Sequence, residues 1–169
     1  CCCEEVMYMH SNIFELTYAP VPASKRVKAG NLPDWFYEQI CDYAENTDLV
    51  QRQDAISQFC RALRGLCALD GDKLTVFPQI RETYFRKNFG CFITAAKTLV
   101  QTDYETFSGC RTDQTLSLVL DKLNNCYEDK RDIYIYLSKT DELMTLDCWL
   151  RTADFSKPLY IGGTINYHY

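Results

Sequence analysis

The sequence predicts an α+β fold, with central helices packed on a small, mostly antiparallel sheet formed by the N- and C-terminal strands. Apolar and polar residues alternate over 12–19, as in a strand with one buried face, and 132–138 and 157–169 read as strands near the other end. Helical spacing of apolar residues fills the middle of the chain, without the regular strand–helix alternation of a parallel α/β sheet. The chain has 169 residues, 47% of them apolar, enough to form a core without metal or disulfide staples. Residues 12–169 therefore read as one α+β domain.

Residues 12–19, NIFELTYA, alternate as an opening strand. PVPASKRVKAGN follows as a loop, punctuated by Pro20, Pro22 and Gly30. Asn31 suits a helix cap and Pro33 a first turn, so a helix is expected to about Asn46. On it Phe36, Ile40, Tyr43 and Ala44 share one face, and Asp34, Glu38, Asp42 and Glu45 form an acidic stripe on another. A second helix is expected over 48–69, capped by Asp48 and carrying Ile56, Phe59, Cys60, Leu63, Leu66 and Cys67 at helical spacing. Asp70-Gly71 ends it as a turn, and Lys73 to Phe77 is either a short strand or a link.

A third helix is expected over 79–101, its buried side formed by Ile80, Tyr84, Phe85, Phe89, Phe92, Ile93, Ala96 and Leu99. Asp103 caps a short turn closed by Gly109, and residues 113–127 form a fourth helix with Leu116, Val119, Leu120 and Leu123 inward. DIYIYLS at 132–138 reads as a strand followed by a turn at TDEL, then a short helix capped by Thr145. Lys157 to Tyr169 closes the chain as a strand in which Gly162-Gly163 marks a bulge or a close backbone approach. The two C-terminal strands are expected to pair antiparallel, with the first strand beside them.

Residues 1–11 stand apart. CCCEEVMYMHSN opens no recognisable element, and Glu4-Glu5-Val6 is encodable by a stretch containing a ribosome-binding sequence. Translation starting at Met7 or Met9 is the expectation, making 1–11 a non-native or disordered leader. The rival is a metal site on Cys1, Cys2, Cys3 and His10. Zinc sites usually space their cysteines in pairs, which adjacent residues do not.

The ten cysteines are expected to be reduced, because no basic region followed by an apolar run precedes the domain. Most sit at core-like helical positions as small hydrophobes. No apolar stretch is long enough to span a membrane, and the expected location is the cytoplasm of a bacterial host. The net charge of -5 argues against a general nucleic-acid coat. The twelve Tyr and nine Phe suit either a Tyr-rich core and sheet or a binding surface.

The familiar phosphate-loop, zinc-protease and serine-hydrolase motifs are missing, and the two histidines, His10 and His168, lie near the chain ends. A Cys-His pair using His168 stays open as an alternative. Asp70 and Asp72 in LDGDK begin like a calcium loop but lack the closing ligands, so they read as a turn. No cofactor is expected. Among the basic clusters, Lys25, Arg26 and Lys28 in the Pro-bounded loop are the best placed to touch nucleic-acid phosphates locally. Either they or the stripe of Asp34, Glu38, Asp42 and Glu45, which would compete for a basic groove, is the candidate partner surface; ordinary solvated surface is the alternative for both.

The segments YFRKNFGCFITAAKTLVQTDYETF and LRTADFSKPLYIGGTINYH resemble uncharacterised small proteins of phages and conjugative elements of gut Firmicutes. The resemblance covers about half the chain. Some such proteins are anti-CRISPR or antirestriction factors. It implies a non-enzymatic inhibitor that binds a CRISPR effector nuclease or restriction complex, and it identifies no site residue. The alternatives are a hydrolase with an unrecognised Cys- or carboxylate-based site, or a structural or regulatory protein of a mobile element.

Overall fold

Ile13, Phe14 and Leu16 lie within four residues of one another, so this short stretch sends apolar side chains to both faces of a sheet and needs cover on both. In the computed structural model, which describes residues 10–109 and 115–168, it is β1 (His10–Thr17). Then come α1 (Asp34–Gln39), β2 (Tyr43–Asn46), α2 (Leu49–Ala62), β3 (Cys67–Asp70) and β4 (Lys73–Val76). The helices α3 (Ile80–Val100), α4 (Tyr104–Ser108) and α5 (Thr115–Tyr127) follow. The chain closes with β5 (Ile133–Leu137), β6 (Glu142–Thr145), α6 (Leu146–Thr152) and β7 (Leu159–His168). The fold is α+β, with a mostly antiparallel sheet that does not close into a barrel. The segment Arg81–Asp129 forms one compact unit; the described chain up to Ile80 and from Lys130 forms the other.

In the sheet unit the strand order is β3-β4-β7-β1-β5-β6, with β2 also on β7. β1 is central, antiparallel to β7 and parallel to β5. The expected direct pairing of the two C-terminal strands is therefore replaced by β1 inserted between them. That position suits β1, whose Ile13, Phe14, Glu15 and Leu16 are all buried. The first two residues of β1, His10 and Ser11, come from the stretch assigned to a leader, and they pair with His168 and Tyr167. Residues 1–9 and their cysteines lie outside the described residues.

One face of the sheet packs Ile13, Tyr134, Ile165 and Tyr167 against Val27, Leu32, Phe36 and Cys41. Phe36 meets the rings of Tyr134 and Tyr167 edge-on, both at 5.2 Å. A second cluster is built on Phe14, whose ring stacks on Phe59 of α2 at 4.4 Å; Phe59 in turn meets Trp149 of α6 at 6.3 Å. Asp48 caps α2 by accepting from the Gln51 amide, and Thr145 caps α6 by accepting from the Cys148 amide, both as expected.

Two expected helices are shorter than their periodicity suggests. The first ends at Gln39, because the amides of Ile40 and Cys41 both turn back to the Phe36 carbonyl. The Asp42 amide then bonds the His168 carbonyl, and 43–46 pairs with β7 as β2. The second ends at Ala62. Arg64 and Gly65 take left-handed conformations, and Cys67 to Asp70 becomes β3. In both places an apolar pattern compatible with a helix is claimed by sheet pairing, where neighbouring backbone supplies stronger closure than a further turn. Cys67 is accordingly a strand residue, though its thiol still meets Cys60; burial first, then Cys60, pushes it up to about 12. The TDEL turn falls two residues earlier, at Ser138–Asp141, and Glu142–Thr145 forms the edge strand β6.

In the helical unit α3 and α5 lie side by side, with the Phe92 and Tyr127 rings 6.3 Å apart and the Cys91 and Cys126 thiols hydrogen-bonded. α5 buries none of its side chains. Leu116, Val119 and Leu123, expected to face inward, are only half-buried, and Leu120 is exposed. On α3, Phe89 was also expected inside but is 65% exposed. Within this unit α3 and α5 cover each other's apolar stripes only in part, so side chains at the margins stay exposed. No helix among the described residues is long and apolar enough to cross a membrane.

Candidate functional site: a basic pocket on the edge of a bulged strand

β7 is a ten-residue strand, but its outer edge is covered by two short strands. β4 pairs with it at Leu159 and Tyr160, and β2 pairs with it from Ile165 to His168. The backbone between these strands must find other partners. The Ile161 amide donates to the Asp72 carbonyl at 2.8 Å. Nη2 of Arg52 donates to the carbonyls of Ile161 and Gly162, at 2.8 and 2.9 Å. The Thr164 carbonyl accepts from the amide and hydroxyl of Thr47, at 3.3 and 3.0 Å. Side chains thus replace the missing length of strand.

On its other edge β7 carries the bulge announced by the glycine pair. The register runs Phe14 opposite Thr164, then Leu16 opposite Ile161, so Gly162 and Gly163 together face Glu15. Glu15 is 3% exposed. Its Oε2 accepts from the amides of Val27 and Gly163, at 2.8 and 2.6 Å, and its Oε1 accepts from the Ser138 hydroxyl. A Cβ on Gly162 would land on the Glu15 carboxylate, and one on Gly163 would land on the Val27 carbonyl. Both glycines are therefore required by close approach, which is how the loop before α1 is tied down on the sheet.

Arg26 and Arg52 share one carboxylate. Asp72 Oδ2 accepts from Arg26 at 2.7 Å, and Oδ1 accepts from Arg52 at 2.9 Å. Asp72 sits in the β3–β4 hairpin turn, where Gly71 takes the left-handed conformation. The turn expected at 70–72 is formed by Gly71 and Asp72, Asp70 being the last residue of β3, and Asp72 serves as a counter-ion. Burial lowers the Arg52 pKa; Asp72 opposes that shift and Arg26 adds to it. Beside these groups opens a cavity of about 390 Å³, lined by Arg26, Lys28, Arg52, Thr47, Gly163 and Thr164, with Asp48 and Asn46 at its side.

Of the basic residues singled out from the sequence, Arg26 and Lys28 line the pocket; Lys25 is exposed in a 3₁₀ turn and does not. The acidic stripe is not one helical face. Asp34 and Glu38 lie exposed on α1 and Asp42 lies exposed beyond it, whereas Glu45 is a half-buried strand residue near the Tyr43 hydroxyl. The stripe needed a helix reaching Asn46, and pairing with β7 removes its last turn.

No family model, curated protein or solved structure matches this chain. Arg52, Asp72 and Glu15 escaped the sequence reading, for different reasons. Arg52 and Asp72 look like ordinary solvated residues of a helix and a turn. Glu15 occupies a polar position in an alternating strand, which by itself points to solvent. The usable signal was Gly162-Gly163, which announces that something bulky approaches.

Proposed function

We propose that this chain is a non-enzymatic binding protein that occupies a surface of a protein partner. The partner in this reading is a nucleic-acid-targeting defence complex of a bacterial host, such as a CRISPR effector nuclease, met in the cytoplasm. The main support is the exposed apolar side chains of the helical unit. α5 fully buries none of its side chains, and Leu118, on the face opposite its half-buried stripe, is 61% exposed. Phe107 and Tyr127 nearby in sequence are also exposed. Covering a leucine-sized side chain contributes about 1.5–3 kcal/mol, so a few such residues suffice for a tight contact. The resemblance to anti-defence proteins supplies the class of partner. Exposed Asp34, Glu38 and Asp42 add a salt-sensitive attraction to a groove that otherwise holds nucleic acid.

The hydrolase alternative is less well supported. Cys41 lies against the His168 backbone, and burial pushes its thiol up, the reverse of what a nucleophile requires.

The test is a pull-down from host lysate with nuclease complexes present, followed by titration of nuclease activity. The expected result is capture of a defence complex and inhibition that saturates near one equivalent. Leu118→Lys is expected to weaken inhibition roughly tenfold or more, with an unfolding free energy within about 0.5 kcal/mol of the parent because the site is exposed. Failure to recover any such complex, or inactivation at far below one equivalent, overturns the reading.

A further inference from the structure

We propose that the pocket beside β7 is a receptor for a phosphate group carried by a small molecule, held by Arg26, Lys28 and Arg52. The size fits: about 390 Å³ is the scale of a small-ligand site. The charge fits as well. Arg26, Lys28 and Arg52 line the cavity with one carboxylate, Asp48, and Asp72 pairs with the two arginines, which leaves an excess of positive charge in a chain whose net charge is -5. Asp48 is engaged in the helix cap, where it accepts from the Gln51 amide at 2.8 Å. One guanidinium fork satisfies a carboxylate, whereas three separate cations suit a tetrahedral dianion.

Arg26 supplies the decisive observation. Its Nε is buried and has no hydrogen-bond partner. An orphaned buried donor is costly, and a small swing of the side chain toward the cavity gives it one. The swing leaves no bare carboxylate behind, because Asp72 keeps its 2.9 Å bond to Arg52. Arg52, 8% exposed and held by two β7 carbonyls, is the fixed wall, and Arg26 is the movable jaw. No aromatic residue is among the described residues lining the pocket, so recognition is of the phosphate and not of a stacked base. The pocket belongs to the sheet unit, and this inference does not depend on the partner-binding reading.

The experiment is calorimetric titration of the full chain with inorganic phosphate, against acetate and chloride at matched ionic strength. Saturable one-site binding of phosphate is expected. Lys28→Gln and Arg26→Gln are each expected to weaken it about tenfold or more, and Lys157→Gln, an exposed cation away from the pocket, is expected to leave it unchanged. Lys28 is exposed, so its variant keeps the test informative even if Arg26→Gln unfolds. Equal heats with chloride, acetate binding as tightly as phosphate, or equal weakening by Lys157→Gln overturns the proposal. So does tighter binding of an oligothymidylate without terminal phosphates, which places the site on nucleic-acid backbone instead.

Discussion

Gly163→Ala is expected to destabilise the protein by about 3 kcal/mol or more, the range in which overpacking against rigid backbone leaves no relaxed alternative. The added methyl would land on the Val27 carbonyl, with the Val27 Cγ1 at 2.9 Å and its amide nitrogen at 3.1 Å. The neighbour cannot simply turn aside, because the Val27 amide is itself bonded to buried Glu15. Yielding means lifting the loop that carries Val27, and with it the packing of Val27 on Ile13 and Ile165. The midpoint of urea unfolding measures the effect. Gly30→Ala is the control: a Cβ there meets nothing within 4 Å, and the residue is exposed. Equal midpoints for the two variants would mean that the loop does not lie on the bulge as described.

Glu15→Ala is the second large effect. It removes the acceptor for two backbone amides, Val27 and Gly163, and for the Ser138 hydroxyl in one step. Each of the two buried amides left without a partner costs about 1–3 kcal/mol, so a total of roughly 2–6 kcal/mol is expected. Glu15→Gln retains an acceptor oxygen and is expected to recover part of that loss. Amide hydrogen exchange separates this account from a general loss of packing. The Val27 and Gly163 amides are expected to lose protection first in Glu15→Gln, while Ile135 and Ile165 keep theirs. Uniform loss of protection across the sheet contradicts the local role assigned to Glu15.

Both effects centre on a feature that the glycine pair in the sequence announced. Gly162-Gly163 within an apolar strand states that a Cβ cannot be accommodated, and the bulge is where that statement is realised. The sequence could not say what approaches. Glu15 comes from a strand almost 150 residues earlier and Val27 from an irregular loop, and neither leaves a local periodic trace. Arg52 and Asp72 are similar: their meeting depends on where α2 and the β3–β4 turn fall relative to β7.

The amino-acid sequence by itself determined the α+β class, the central helices, the strands at both ends, the caps at Asp48, Asp103 and Thr145, and a bulge or close backbone approach in the last strand. These follow from interactions within a few residues, which periodicity and capping chemistry record directly. Only the tertiary structure decided that 43–46 and 67–70 are strands, that β1 separates β5 from β7, and that Arg26, Lys28 and Arg52 converge on one cavity. The physical reason is that strand pairing and part-buried ion pairs join residues distant in sequence. Their free energy depends on which partners the fold brings alongside, and not on the identity of a residue's immediate neighbours.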